Sequence, residues 1–409
     1  MQCRHCGTQL KDVFLDLGFA PPSNAYLRES DLVRPETYFP LKLYVCWNCW
    51  LVQTEDFTDP EQLFQADYAY FSSTSRTWLE HARCYCQAVS QDLGLNTTSL
   101  VLEVGCNDGY LLHNFVQAGI PCLGVEPASG TADAAENKGI PVLREFFGSG
   151  LGGRLAAEDR RADLIIANNV YAHVPDINDF TRGLQAALKP GGVVSLEFPH
   201  LLRLMAGGQF DTVYHEHYSY LGLYTVCRIF EAAGLRVFDV QELPTHGGSL
   251  RVFGCHVHDG RPEQPAVARV LAAERGEGLQ DMKTYRAFQQ RADRIKDNLL
   301  LFLINEKHKG RTVAAYGAAA KGNTLLNYAG VKPDLLPFVC DAAASKQGKY
   351  LPGSHIPIVP EEELVRARPD VVLILPWNLR REIVSQLSYI RDWNAQFAVA
   401  VPELTCFAP

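Results

Sequence analysis

No run of five or more lysines and arginines occurs anywhere in the 409 residues, and acidic side chains outnumber basic ones, 46 to 38. A nucleic-acid surface needs a basic stripe to displace counterions from phosphates, so no nucleic-acid partner is expected. Apolar runs are short as well. None approaches the roughly twenty residues that cross a bilayer, and the opening MQCRHCGTQL has neither a basic nor an apolar leader segment. A membrane partner is therefore not expected either. Twelve cysteines without a secretion signal point to a reducing cytoplasm, where thiols stay free or bind metal. Low-complexity segments and short-period repeats are missing. With 47% hydrophobic and 21% charged residues the composition is globular, and the length suits two or three domains. No obligatory protein partner is evident.

What is present begins with four cysteines in two pairs, Cys3-x-x-Cys6 and Cys46-x-x-Cys49. Each pair grips one ion from a single turn, and two pairs complete a tetrahedral Zn²⁺ shell with no vacancy for water. Such zinc is structural, not catalytic. Ordinary buried thiols are the competing account, which two correct spacings disfavour. The other eight cysteines (84, 86, 106, 122, 227, 255, 340 and 406) follow no ligand spacing and read as small core residues.

Three regions follow, and the fold class expected is α/β. Residues 1–72 form a zinc-binding module, in which LKLYVCWNCWLVQ is a strand leading into the second cysteine pair. The aromatic, polar stretch 66–75 reads as a linker that lies over a neighbouring site. Residues 73–260 open with helical spacing from Trp78 to Leu93, then alternate strands and helices in a doubly wound pattern. The strands expected are Leu100–Val104, Pro121–Val125, Asp163–Ala167 and Gly192–Phe198, with Arg236–Leu243 and Ser249–Val257 as an antiparallel pair at the sheet edge. Residues 261–409 begin with a charged helical connector to about 309. The α/β pattern then restarts with TVAAYG, LPFVCD, VVLILP and AQFAVAVP as strands. Two Rossmann-like units in tandem are expected.

In Glu103-Val-Gly-Cys-Asn-Asp-Gly109 an apolar strand runs into glycines and then a helix. Glycines let the backbone approach a ligand, and the helix start offers free N–H groups. The spacing Gly105-x-x-x-Gly109 is not the Gly-x-Gly-x-x-Gly of dinucleotide binding. The next strand ends on Glu126, an acid placed to accept from both hydroxyls of a ribose. ADLIIANNVYAHVPD and a Pro-Gly-Gly turn before a strand complete the set. In their order these segments resemble class I S-adenosylmethionine (SAM)-dependent methyltransferases. The resemblance implies that Glu103, Gly105, Asn107, Asp108, Gly109 and Glu126 bind SAM, with Asn168 and Asn169 near its sulfonium.

The densest ionisable cluster is Tyr214-His-Glu-His-Tyr218, after a Gly207-Gly208 bend, on a loop or at a helix start above the SAM site. These residue types can set one histidine as a base, with Glu216 orienting it and a tyrosine donating to a developing oxyanion. A solvated polar turn or a His-x-His metal site are alternatives, and neither accounts for the flanking tyrosines. His173, just past a strand tip, is a second candidate, with a turn-capping surface histidine as its alternative. Tyr68 is weaker on spacing alone. Lys321, at a helix start in GAAAKGNT, suits a diphosphate, and His246 and Arg251 flank THGGSLR.

Taken together, CxxC…CxxC, LEVGCNDG, AHVPD, Y-x-E-H, THGGSLR, GAAAKGNTLLN and KQGKYLPG resemble the zinc-containing sugar C-methyltransferases of deoxysugar biosynthesis, such as the C-3 methyltransferases of tetronitrose- and mycarose-type sugars. The likeness runs from Cys3 to the last strand. It implies that SAM and a structural Zn²⁺ are the cofactors. The substrate implied is a nucleotide-linked 4-keto-deoxysugar, with dTDP as carrier, held between the SAM domain and the C-terminal unit. The catalytic set it implies falls on Tyr68, Tyr214, Glu216 and His217, with His173 nearby. Lys321, Asn323, His246 and Arg251 are the substrate-binding candidates. His217 is expected to remove the proton beside the ketone, with Glu216 fixing its tautomer or the sugar. An O- or N-methyltransferase and a non-catalytic zinc and SAM module are the other function classes the residues allow.

Overall fold

A computed structural model of the chain describes residues 1–55, 72–74 and 76–409. Tyr68 and most of the 66–75 stretch lie outside the described residues. Three sheets organise the rest. The first contains β1 (Asp12–Ala20), β2 (Phe39–Val45) and β3 (Val52–Thr54). In β2 the alternating Leu41, Leu43 and Val45 all point inward, which gives the sheet one apolar face. β2 leads into the second cysteine pair, as its sequence predicts.

The second sheet is built from β4 (Val101–Val104), β5 (Cys122–Val125), β6 (Val142–Leu143), β7 (Ala162–Asn168) and β8 (Leu188–Pro199). After a short strand β9 (Ser219–Tyr220) come β10 (Leu235–Leu243) and β11 (Ser249–His256). Its order is β10-β11-β8-β7-β4-β5-β6. All pairs from β8 to β6 are parallel, whereas β10 and β11 form the expected antiparallel pair at the edge. Strand order reverses between β4 and β7, so the ligand crevice opens at their carboxyl ends.

Strands β12 (Val313–Tyr316), β13 (Val339–Cys340), β14 (Ile358–Val359), β15 (Val371–Ile374), β16 (Gln396–Val399) and β17 (Thr405–Phe407) make the third sheet. Its order β14-β13-β12-β15-β16-β17 is 3-2-1-4-5-6 in chain sequence, the doubly wound arrangement, with only β17 antiparallel. Here the crevice lies between β12 and β15. Sequence reading missed β1, β6, β9, β14 and β17. The two-residue β9 and β14 are defined by pairing, not by periodicity.

β9 belongs to the first sheet although its neighbours in sequence serve the second. Val52 pairs with Tyr220 and Gln53 with Ser219. The zinc module is therefore wedged into the molecule and not appended to it. One continuous core joins Phe14, Leu43 and Val52 of the zinc sheet to Tyr285, Phe288 and Leu299 of the connector and to Val313 and Leu373 of the third sheet. The rings of Phe14 and Phe288 stack at 4.9 Å. A second core sets Cys3, Cys46, Cys49 and Leu51 against Ile165, Ile177 and Leu196 of the central sheet and its helices. Among the described residues no helix is long and apolar enough to cross a membrane.

Candidate active site

The four-cysteine cluster anchors the sheet that reaches the reactive cluster. Cys3, Cys6, Cys46 and Cys49 bring their sulfurs within 4.8 Å of one another, with Cys3–Cys49 and Cys6–Cys46 each at 3.5 Å. A Zn–S bond of about 2.3 Å places tetrahedral sulfurs about 3.8 Å apart, so the four thiols fit the ion. Each pair is followed by a left-handed residue, Gly7 (φ 72°) and Trp50 (φ 62°), whose N–H returns to the first cysteine's carbonyl at 2.9 and 2.8 Å. The two hairpins thus present their sulfurs in matching geometry. Gln53 supports Cys3 by directing its amide at the sulfur, 3.3 Å away.

The glycine loop follows β4. Gly105 (φ 67°) and Gly109 (φ 73°) are left-handed, and a Cβ on either would strike Val170 at 2.6 Å or Ile140 at 2.4 Å. Glu126 turns one carboxylate oxygen onto this loop, accepting from the N–H of Asn107 at 2.9 Å, while the other accepts from the N–H of Ala128, two residues on, at 2.9 Å. Burial raises its pKa and those two amides oppose the rise. Burial also holds Glu103 well above the usual carboxylate range. Glu103 Oε2, Asp108 Oδ1 and Asn168 Oδ1 are buried acceptors with no donor among the described residues. Asn169 (φ 56°) follows at the tip of β7. Unanswered acceptors around a glycine turn fit a ligand that brings donors, as SAM does with its ammonium and ribose hydroxyls.

The reactive cluster lies in the turn between Phe210–Thr212 and β9, not at a helix start. His217 Nδ1 faces the Thr212 carbonyl at 2.9 Å. A carbonyl only accepts, so Nδ1 carries the proton and the neutral ring keeps its lone pair on Nε2. This corrects the expectation that Glu216 fixes the tautomer of His217. Glu216 instead accepts from the amide of Asn24 at 2.8 and 2.9 Å, and burial pushes its pKa up to about 7 despite that bond. His173 makes the same tautomeric choice, donating Nδ1–H to the Glu216 carbonyl at 2.8 Å. Its ring stands edge-on to His217 at 4.5 Å, and Tyr214 tilts against His217 at 4.0 Å. Burial first, then the charge of His173, depresses His217 well below an ordinary histidine; burial brings His173 to about 4. Both rings are neutral at physiological pH.

The His-x-His alternative does not form. His215 turns away toward the Pro40 carbonyl at 3.2 Å, and the four cysteines are the sole ligand cluster among the described residues.

The third sheet closes the site. Lys321 starts the helix Ala320–Tyr328 after β12, donates to Asn378 Oδ1 at 2.7 Å and lies 4.8 Å over the Trp377 ring. Burial lowers its pKa, and its charge in turn helps depress His217 and His246. It therefore lies within electrostatic reach of both histidines from the crevice of the C-terminal unit. His246 is left-handed (φ 53°), its Nε2 meets no donor or acceptor among the described residues, and burial brings it to about 4. Two other candidates are engaged inside the protein. Arg251 pairs with Glu197 at 2.7 Å and lies 4.2 Å over Tyr85, and Asn323 donates to the Ser23 carbonyl at 2.6 Å.

Sequence reasoning missed Asn24, Asp211, Trp377 and Asn378. Only the last two carried a signal, since they follow VVLILP at the tip of the strand across the switch point from Lys321. Asn24 sits in an unremarkable PPSNAY loop.

Known proteins can be set beside this geometry. Residues 3–64 match a zinc binding domain, 78–240 a methyltransferase domain and 244–402 a C-methyltransferase C-terminal domain. The C-methyltransferase NovU of Streptomyces niveus is 36% identical over 405 residues, covering 98% of this chain and 96% of NovU. The ubiquinone biosynthesis O-methyltransferase of Azorhizobium caulinodans is 28% identical over 95 residues, 23% of this chain and 38% of its own. Among solved structures, SAM-bound magnesium protoporphyrin IX methyltransferase ChlM of Synechocystis PCC 6803 is 17% identical and covers 49% of this chain and 99% of its own. Its TM-score is 0.35. Near full-length identity to NovU, the three matched domains and the four-thiolate cluster place the chain in the zinc-containing, SAM-dependent C-methyltransferase family.

Proposed function

We propose that this enzyme methylates C-3 of a nucleotide-linked 4-keto-deoxysugar, with dTDP as the carrier and His217 as the base. The observation that carries the reading is the tautomer of His217: Nδ1–H is committed to Thr212, and Nε2 is a neutral acceptor inside a buried cluster. A proton beside a ketone is acidic only if a base removes it while the oxygen's growing charge is stabilised. His217 Nε2 takes the proton from C-3, and the bonding pair moves toward the ketone oxygen as an enolate. Tyr214, and Tyr68 from outside the described residues, are the donors assigned to that oxygen. His173 braces His217 edge-on and holds the Glu216 backbone. Glu216, its pKa raised by burial to about 7, is assigned to a polar group of the sugar. Bound SAM supplies the electrophilic methyl. The loop 103–109 with Glu126, Asn168 and Asn169 orients it, so that carbon and methyl meet already aligned.

The nucleotide end is assigned to the crevice between β12 and β15. A doubly wound sheet binds ligands at this point, and Lys321 there supplies the charge a diphosphate needs. His246 faces the sugar, while Arg251 and Asn323 hold the walls. The test is product analysis: dTDP-4-keto-2,6-dideoxyglucose with SAM should gain one methyl on carbon, located by NMR. Methyl on oxygen or nitrogen would overturn the reading. Failure with this substrate followed by carbon methylation of a GDP- or CDP-linked ketosugar would overturn only the carrier.

A further inference from the structure

Asp211 is a fully buried carboxylate for which the chemistry above has no use. It lies in the turn Phe210–Thr212 and accepts the indole Nε1–H of Trp377 at 2.7 Å; its Oδ1 meets no donor among the described residues. A buried carboxylate with one unanswered oxygen is a poor stabiliser of a fold. Its place in the chain is more telling. The next residue, Thr212, supplies the carbonyl that takes His217 Nδ1–H. Thr212 Oγ1 donates to the Gln209 carbonyl at 2.7 Å, and the Gln209 side chain donates to the Gly247 carbonyl at 2.9 Å.

Trp377 comes from the C-terminal unit, just beyond β15. Its ring packs so closely on the THGG turn that a Cβ on Gly247 would meet Cη2 at 2.5 Å. The Lys321 ammonium covers the same ring. One indole thus touches the turn that holds the base, the turn that carries His246, and the lysine at the crevice.

We infer that the Trp377–Asp211 hydrogen bond is the strut through which the C-terminal unit sets His217. It fixes the Phe210–Thr212 turn so that the Thr212 carbonyl keeps the proton on Nδ1 and the lone pair on Nε2. Trp377 and Asp211 are positioning residues. The inference deepens the proposed role of His217 and rests on it, but its test does not require turnover.

The experiment is nitrogen NMR of the full-length, zinc-loaded protein labelled with ¹⁵N-histidine, with His217 signals assigned by their loss in His217→Asn. The wild type should show His217 in the single Nδ1–H tautomer. Trp377→Phe keeps a ring and loses only the donor, and it should give a mixture of tautomers. Asp211→Asn, whose amide oxygen still accepts from the indole, should keep the wild-type pattern. If Trp377→Phe does not fold, Asp211→Ala set against Asp211→Asn makes the same comparison. A single unchanged Nδ1–H tautomer in the variant that removes the bond would overturn the strut. In turnover, Trp377→Phe should lower kcat about ten-fold or more with KM for SAM within about two-fold. The double variant Trp377→Phe/Asp211→Ala should lose no more than the worse single one, whereas additive losses would count against coupling. If the wild type leaves the ketosugar untouched, the proposed substrate fails while the tautomer spectra still decide the strut.

Discussion

The SAM loop and the histidine cluster are built in opposite ways. The loop is local: one strand, two left-handed glycines and the acid of the next strand, all within residues 101–126 of a single sheet. The cluster is convergent. Residues 214–220 are held by the zinc sheet through β3 and β9, by Asn24 on Glu216, by His173 from the central sheet, and by Thr212 beside the Trp377–Asp211 bond. Thr54 adds a backbone bond to the Tyr218 carbonyl at 3.2 Å. A local site tolerates disturbance elsewhere in the chain, whereas a convergent one registers damage in any of its supports. The zinc module thereby gains a functional reason under the proposed reading, since its β3 anchors β9 just beyond His217, the proposed base.

Perturbations that separate the two regions sharpen this contrast. The largest effect is expected from His217→Asn, which should cut methyl transfer by about a thousand-fold, the scale of a lost general base. SAM affinity by calorimetry should stay within about two-fold; a parallel collapse of SAM binding would remove the base assignment. Zinc removal should come next. Chelation, verified by metal analysis, frees the two cysteine hairpins and with them β3, so turnover should fall by about a hundred-fold, as for misplaced catalytic groups. SAM binding should largely survive, and full activity without metal would contradict the account. Asn24→Ala removes the donor described on Glu216 and should lower kcat by about ten-fold, the range of a lost bond to a charged or near-neutral buried acid. An unchanged kcat would show that Glu216 needs no support from the zinc module. On the other side of the comparison, Gly109→Ala puts a side chain at φ 73° against Ile140. It should weaken SAM binding several-fold while leaving the His217 tautomer in place.

The same contrast explains what could be read from the chain. The glycine loop and the cysteine pairs were legible because spacing along the chain sets their geometry. The doubly wound order of both large sheets followed from alternating strands and helices, and the residue types of the reactive cluster stood out by density. Its supports did not. Asn24 lies almost two hundred positions before Glu216, and Asp211 reaches Trp377 across 166 residues; nothing local marks either contact. The partner that fixes the His217 tautomer escaped the sequence for the same reason. Glu216 is its neighbour in sequence, but the turn aims the ring back at Thr212 and leaves the carboxyl facing the zinc module. Adjacent residues in a turn point in different directions, and only the fold says where.

The most direct test of the account is proton exchange without methyl transfer. The zinc-loaded enzyme is placed in D₂O with dTDP-4-keto-2,6-dideoxyglucose and no SAM, and deuterium is followed at the carbon beside the ketone. The account predicts exchange in the wild type and none above background in His217→Asn. Undiminished exchange in that variant would contradict a site organised to present His217 as the base.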